Sequence, residues 1–325
     1  MSAGNARAAV SRNLILVASP LNAAEGDFEE IAEWVHAAAP DIDVTVMPDA
    51  PIDLPRNLLL PDRPSLIFSP RPIAAFPFRR IRGAVYQGIR LRKAQEYTAL
   101  EAIGTPLPRW CLITRDTEPD LRAFGPYVVV KPNNSGRGAD VRIKLKGRVR
   151  WSDRITPFTQ RVAGPAIEWI VQEFIYTGCW PISYRVTTLF GEALWAFRVE
   201  GSHDRRPLCS RYGFRGGATG SGMSIVSAGK RCIFALCDDP DIIALAQRAH
   251  AAFPHIPLLG VDIVRDADSG DLYVIEVNAV GYTWHFSSPR GIKIQREFGF
   301  RFEDQFDGRR KASRLLVDWT RRFAQ

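Results

Sequence analysis

Hydrophobic alternation is clearest between Leu258 and Asn278, LLGVDIVRDADSGDLYVIEVN. Leu259, Val261 and Ile263 fall on one face of a strand and Asp262 on the other. After the polar turn DADSGD, Tyr273, Ile275 and Val277 are expected on one face of a second strand, with Glu276 and Asn278 opposite. A hairpin symmetric about Ser269 places Asp262 across from Glu276, and Asn278 two residues on along the same face. Facing carboxylates repel. A hard divalent cation removes that cost, and Mg²⁺ takes carboxylate and amide oxygens while leaving room for waters and phosphates. A solvated acidic hairpin would show the same pattern.

The rest of the chain alternates between strand and helix patterns. Strands are predicted over 13–19, 43–47 and 65–68, and a helix over 28–39, which gives an α/β start. The Pro-rich stretch 48–77 reads, apart from that last strand, as linker or surface loop. Asp239-Pro240-Asp241 caps a helix to Phe253 with Ile242, Leu245, Ala246, Ala249 and Phe253 in one stripe. Residues 309–323 form a basic amphipathic helix. Between these, YVVVKPNNSGRGADV (127–141) is a β-branched strand ending at Lys131-Pro132, followed by a loop with Gly136 and Gly138. Glycine lets backbone N–H groups approach phosphate oxygens, and the lysine adds a fixed charge. The P-loop pattern G-x-x-x-x-G-K-[ST] is absent there, and a plain hairpin turn is the alternative. IVQEFI (170–175) is an apolar strand with Gln172 and Glu173 near its end. Residues 184–200 read as two strands around Phe190-Gly191-Glu192, carrying Arg185 and Arg198.

In this order the pieces resemble the ATP-grasp superfamily, including ribosomal-protein glutamate ligases and D-alanine–D-alanine ligases. LRKAQEYTALEAIGTP (91–106) is similar to the opening segment of that family, with a helix of about three turns between Lys93 and Gly104. The resemblance spans residues 93–286 and rests on five motifs in sequence rather than on any one of them. It implies an α/β (α+β ATP-grasp) fold: a Rossmann-like N-terminal domain over 1–90, then an ATP-grasp module over 91–325 with a lid subdomain at about 106–171 and a nucleotide and metal subdomain at about 172–325. It implies that Lys93 and Lys131 hold the α- and β-phosphates of ATP. The flap, with Ser135, Gly136 and Gly138, closes over them, and Gln172, Glu173, Phe174 and Ile175 read the adenine. Asp262, Glu276 and Asn278 then hold Mg²⁺, or Mn²⁺. Arg185 and Arg198 are the candidates for clamping the γ-phosphate or the substrate carboxylate, since guanidinium matches both bidentately. Arg215 is the candidate for the oxyanion.

Two departures stand out. The acidic residue that precedes the arginine strand in close relatives is missing from Pro181-Ile182-Ser183-Tyr184, where Ser183 is a weak substitute. After Asn278 the family's N-x-x-P-G pattern gives way to AVGYTWHF, which points to a non-standard acceptor. Trp284 and His285 could line the acceptor pocket, though packing is the ordinary role of aromatics near a strand end.

At 325 residues the chain can bury a sizeable core, with two or three subdomains expected. The N-terminus has no apolar core region of the kind a secretory signal carries, and no run approaches the ~20 apolar residues of a membrane span. Five cysteines, an odd number, fit a reducing cytoplasm better than a disulfide framework. A zinc site from His203, Cys209, Cys232 and Cys237 lacks any C-x₂-C pair. GGATGSG (216–222) reads as a lid or a plain loop. The net charge of +8 suits an acidic metabolite or peptide, with no nucleic-acid motif beside the short basic runs.

These readings converge on an ADP-forming carboxylate–amine ligase that uses ATP and Mg²⁺. Its expected partners are small-molecule or peptide carboxylates and amines, as in peptide modification, with neither membrane nor nucleic acid, and with a homodimer allowed. A phosphotransferase acting on a hydroxyl and a non-catalytic ATP-binding scaffold are the alternatives. Intact Lys131, Asp262, Glu276 and Asn278 speak against the scaffold.

Overall fold

The computed structural model describes residues 11–19, 25–48, 63–73, 82–117, 119–134, 136, 138–163, 167–203, 207–212, 232–280 and 283–325. The chain opens with β1 (Arg12–Ala18), α1 (Glu25–Ala38), β2 (Ile42–Pro48), β3 (Ser65–Ser69) and β4 (Gly83–Gln87). The four strands form a parallel sheet in the order β2-β1-β3-β4. Strands of such a sheet are covered on both faces and read as continuous apolar runs. Accordingly Leu14 and Leu16 join Phe28, Ile31 and Val35 of α1 on one side, while Ile15 and Val17 pack with Met47 and Ile67 on the other.

Helix α2 (Lys93–Ala102) leads into a second sheet, built from β5 (Trp110–Ile113), β6 (Tyr127–Pro132), β7 (Arg142–Leu145) and, after α3 (Pro157–Ala163), β8 (Trp169–Glu173). It is antiparallel, in the order β5-β8-β6-β7. The third sheet contains β9 (Ile182–Leu189), β10 (Glu192–Gly201), β11 (Cys232–Leu236), β12 (Leu258–Arg265) and β13 (Leu272–Asn278), in the order β11-β10-β9-β12-β13. Phe190 (φ 50°) and Gly191 (φ 94°) close β9 onto β10 in a two-residue turn, the geometry that matches the twist of the flanking strands. Between β11 and β12, α4 (Pro240–His250) packs its predicted stripe on the outer face of this sheet, against Val186, Leu259, Val261 and Ile263. Asp239 caps α4 as expected, its carboxylate accepting from the N–H groups of Asp241 and Ile242.

Of the last elements, α5 (Pro289–Phe298) and α6 (Glu303–Phe306) pack on β11 and β10, and α7 (Gly308–Phe323) returns to the first sheet. Leu316 and Val317 of α7 join the core of α1, and Trp319 stacks on Phe190 at 4.0 Å. Asp27, buried at the start of α1, accepts from the Trp284 indole at 2.8 Å and from Ser287, and pairs with Arg309 at 3.3 Å. The first sheet thus anchors the segment that follows β13.

One expectation about β13 is corrected. The pairing runs Asp262 with Glu276 as anticipated, but Ile263 then pairs with Val274, leaving Ile275 as a bulge. A bulge reverses the alternation, so the apolar face of β13 carries Val274 and Val277, both buried against α4 and β12. Tyr273 and Ile275 leave that face, and the Ile275 carbonyl turns toward α2 and the second sheet, where Tyr97 and Lys131 bond to it at 2.8 and 3.1 Å.

Candidate active site

The second and third sheets face each other across a cavity of about 530 Å³. From the second sheet come Lys131 at the end of β6 and Gln172 and Glu173 at the end of β8, with Phe174 and Ile175 beyond. From the third come Arg185, Asp262, Glu276 and Asn278. Lys93 enters from the first turn of α2. Gly136 and Gly138 line the cavity from the loop after β6. Ser135, Arg215 and the 216–222 loop lie outside the described residues.

Asn133 joins these parts, a role the sequence did not disclose. Its side-chain oxygen accepts from Ala94 N–H at 2.9 Å, and its carbonyl accepts from Lys93 N–H at 3.0 Å. Its amide donates to Glu168 at 2.7 Å. The exposed donors of the α2 N-terminus are thereby satisfied by the residue that follows Lys131-Pro132. The two lysines are held in fixed relation.

Charges are paired across the cleft. Lys93 Nζ donates to Glu276 Oε1 at 2.6 Å. Arg185 grips Asp262 through Nε and Nη2, both at 2.6 Å, and Asn278 donates to the same carboxylate at 3.1 Å. The Asp262–Glu276 repulsion anticipated from the hairpin is therefore met by two cations from neighbouring elements. Burial acts on Lys93 downward, but Glu276 and Glu96 outweigh it and raise its pKa. Burial likewise opposes the Glu276 charge, and Lys93 and Lys131 override it to lower the carboxyl pKa. Lys131 is more exposed to the cost of burial, which brings it down to about 8. Its ammonium donates to Gln172 Oε1 at 3.0 Å and lies 5.3 Å from the Tyr97 ring. Glu96, one helical turn after Lys93, is pushed up to about 7 by burial. Glu96 and Tyr97 carried no motif; their signal is a helix position three or four residues from Lys93, on the same face.

Two expected roles change in detail. Gln172 uses its oxygen on Lys131, so what remains is its amide nitrogen, buried and without a partner. Glu173 accepts from Gly125 N–H at 3.1 Å and pairs with Arg109 at 3.5 Å. Ile175, in contrast, lines the cavity, and its backbone N–H and C=O have no hydrogen bond among the described residues. Arg198 is corrected in position. It leaves β10 on the face opposite Phe197 and Val199, which line the cavity, and pairs with Glu200 at 2.7 Å. Strand alternation requires this of residue 198 once its neighbours face inward.

His203, Cys209, Cys232 and Cys237 do not assemble: no group of three metal-ligating side chains of the His, Cys, Asp and Glu types occurs among the described residues. No helix among them is long and apolar enough to cross a membrane.

Neither a protein-family model nor a curated protein matches the sequence. Solved structures match over most of its length. D-cycloserine synthetase DcsG is 15% identical, with 94% of this chain and 99% of that chain covered and a TM-score of 0.51. The ATP-grasp ligase PsnB, solved with a phosphomimetic variant of its minimal precursor, Mg and ADP, is 16% identical over 96% and 100% of the two chains, also with a TM-score of 0.51. The chain has the fold of these proteins.

Proposed function

We propose that this chain, with its ATP-grasp fold, is an ADP-forming ligase that activates a carboxylate with ATP and joins it to an amine. The observation that carries this reading is the opposition of Lys93, Lys131 and Gln172 to Asp262, Glu276, Asn278 and Arg185 across one cavity. Three fixed cations suit a polyphosphate. Two carboxylates and an amide oxygen form an oxygen-only donor set that fits a hard divalent cation, Mg²⁺ or Mn²⁺. Such an ion supplies charge neutralisation at the phosphates. The orphaned Gln172 amide and the unpartnered Ile175 backbone groups supply donors and an acceptor for a flat, hydrogen-bonding base.

The paired charges explain how the site is kept ready. Lys93 neutralises Glu276, and Arg185 neutralises Asp262. Asp262, Glu276 and Asn278 would hold the cation, and Lys93 and Arg185 would then be free to meet phosphate oxygens. Charge develops on phosphoryl oxygens during transfer, so fixed cations at those positions lower the barrier. A carboxylate oxygen bonds to the γ-phosphorus as the bond to the β-phosphate oxygen breaks and ADP leaves. The amine then bonds to the carbonyl carbon, phosphate departs and the nitrogen loses a proton.

Hydroxylamine tests this directly. With MgATP and an accepted acid it should give hydroxamate and ADP in equal amounts. ADP accompanied by a phosphate ester, with no hydroxamate from any acid, would mark phosphotransfer to a hydroxyl instead.

A further inference from the structure

The cavity face of the five-stranded sheet changes character within one strand step. Inward from the β13 edge it carries Glu276 and Asn278, then Asp262, then Arg185 and Ser183. On β10 the same face carries Phe197 beside Arg185 and Val199 beside Ser183, and on β11 it carries Phe234 beside Val199. Strands lie about 4.8 Å apart, so the ionised zone ends at β9. Phe197, Val199 and Phe234 are each more than nine-tenths buried. Phe197 and Phe234 meet edge to face at 5.4 Å, backed by Trp195, Phe298 and Phe302. A phosphate or an ammonium group over this floor would lose its hydration and find no partner there.

His285 lines the cavity too, and its place is tightly fixed. Its Nδ1 meets Ser288 Oγ at 3.0 Å, and its ring packs 5.3 Å from Trp195. Helix α5 lies so close that a Cβ on Gly291 would come 1.8 Å from the His285 carbonyl oxygen. Its Nε2 has no hydrogen bond among the described residues. Burial first, then the charges of Arg185 and Arg290, hold its pKa well below the usual imidazole range. It therefore offers the cavity a neutral hydrogen-bonding edge.

We infer that the activated substrate is a carboxylic acid with an apolar body, aromatic or branched aliphatic, which lies on Phe197, Val199 and Phe234 with its carboxylate at Arg185. The inference rests on the ligase reading above and adds the class of acid. Phe197, Val199 and Phe234 themselves offer no counterpart to an amino-acid ammonium or a second carboxylate lying over them, and sites of this kind discriminate against uncompensated polar groups.

The test is hydroxamate formation by the full chain with MgATP, hydroxylamine and a panel of acids. The panel pairs 3-phenylpropionate and 4-methylvalerate with succinate, L-glutamate and β-alanine. The expected result is a kcat/KM at least tenfold higher for the two apolar acids. Phe234→Ala should shift preference by tenfold or more from 3-phenylpropionate toward the larger 3-(2-naphthyl)propionate. Val199→Thr, which keeps the volume, should lower the apolar-to-polar ratio by at least threefold. Hydroxamate from the polar acids alone would overturn the inference and leave the ligase reading standing. So would a folded pair of variants with unchanged ratios. No hydroxamate from any acid, with MgATP binding shown by calorimetry, would overturn both.

Discussion

Lys93 and Glu276 stand 183 residues apart in the chain and 2.6 Å apart in space. The Lys93 side chain is 7% exposed, and its pairing ties α2 to the edge strand that carries the proposed metal ligands. Removing the carboxylate therefore does more than relieve repulsion with Asp262. Glu276→Gln should lower stability without nucleotide by about 2–3 kcal/mol, since a buried cation loses its counter-charge. Turnover should fall at least a hundredfold. A urea midpoint unchanged from the parent would show that the pair is not stabilising, and near-parental turnover would remove Glu276 from the metal site.

The two arginines should behave differently. Arg185 faces the cavity from beside Asp262, so Arg185→Ala should cost on the order of a hundredfold or more in turnover. Arg198 pairs with Glu200 on the opposite face, and its loss should change stability by ~0–1 kcal/mol and leave turnover within a few fold. Steady-state rates of the two variants decide this. Equal losses would mean that Arg198 reaches the substrate.

An acylphosphate route leaves an isotopic trace. With the substrate carboxylate labelled with ¹⁸O, one labelled oxygen should appear in the released phosphate. Unlabelled phosphate released alongside product would exclude that intermediate.

Base selection should rest on the linker. On the proposed reading, the Ile175 carbonyl and N–H would meet the exocyclic amine and ring nitrogen of adenine. Guanine would set its own oxygen against that carbonyl, a mismatch of ~1–3 kcal/mol. Calorimetric titration with MgATP and MgGTP should therefore differ by roughly tenfold or more in Kd, and equal affinities would remove the linker from the base site.

His250 should couple stability to pH. It is buried under β9, with Nδ1 2.7 Å from Thr188 Oγ1 and Nε2 3.0 Å from the Ile256 carbonyl, and burial brings its pKa down to about 4 from an ordinary 6.5. Above pH 6.5 the ring is neutral in folded and unfolded chains alike. As pH falls from 6.5 to 4 the unfolded chain gains a proton that the folded chain resists, which costs up to roughly 3 kcal/mol. His250→Gln should flatten the stability profile across that window relative to the parent. Parallel profiles would show that His250 titrates normally.

The sequence determined the local elements and the order of the site. The caps and period of α4, the β12–β13 hairpin with Asp262 opposite Glu276, and the lysine-terminated β6 all follow from patterns within some twenty residues. Short strands such as Trp110–Ile113 and Cys232–Leu236 lack that length of pattern, because a strand of four or five residues is defined by its neighbours in the sheet. Helix α5 has a readable start at Ser288-Pro289, and its apolar side chains Ile294 and Phe298 fall one turn apart. Only the tertiary structure decided how charges pair. Which cation meets Glu276 or Asp262, that Gln172 uses its oxygen on Lys131, and that a bulge turns the Ile275 carbonyl toward Tyr97 depend on contacts between segments 41 to 183 residues apart. It also decided that Arg185 faces the cavity while Arg198 does not. A sequence shows that alternate residues of a strand share a face; which face is the inside is set by the sheet that packs against it.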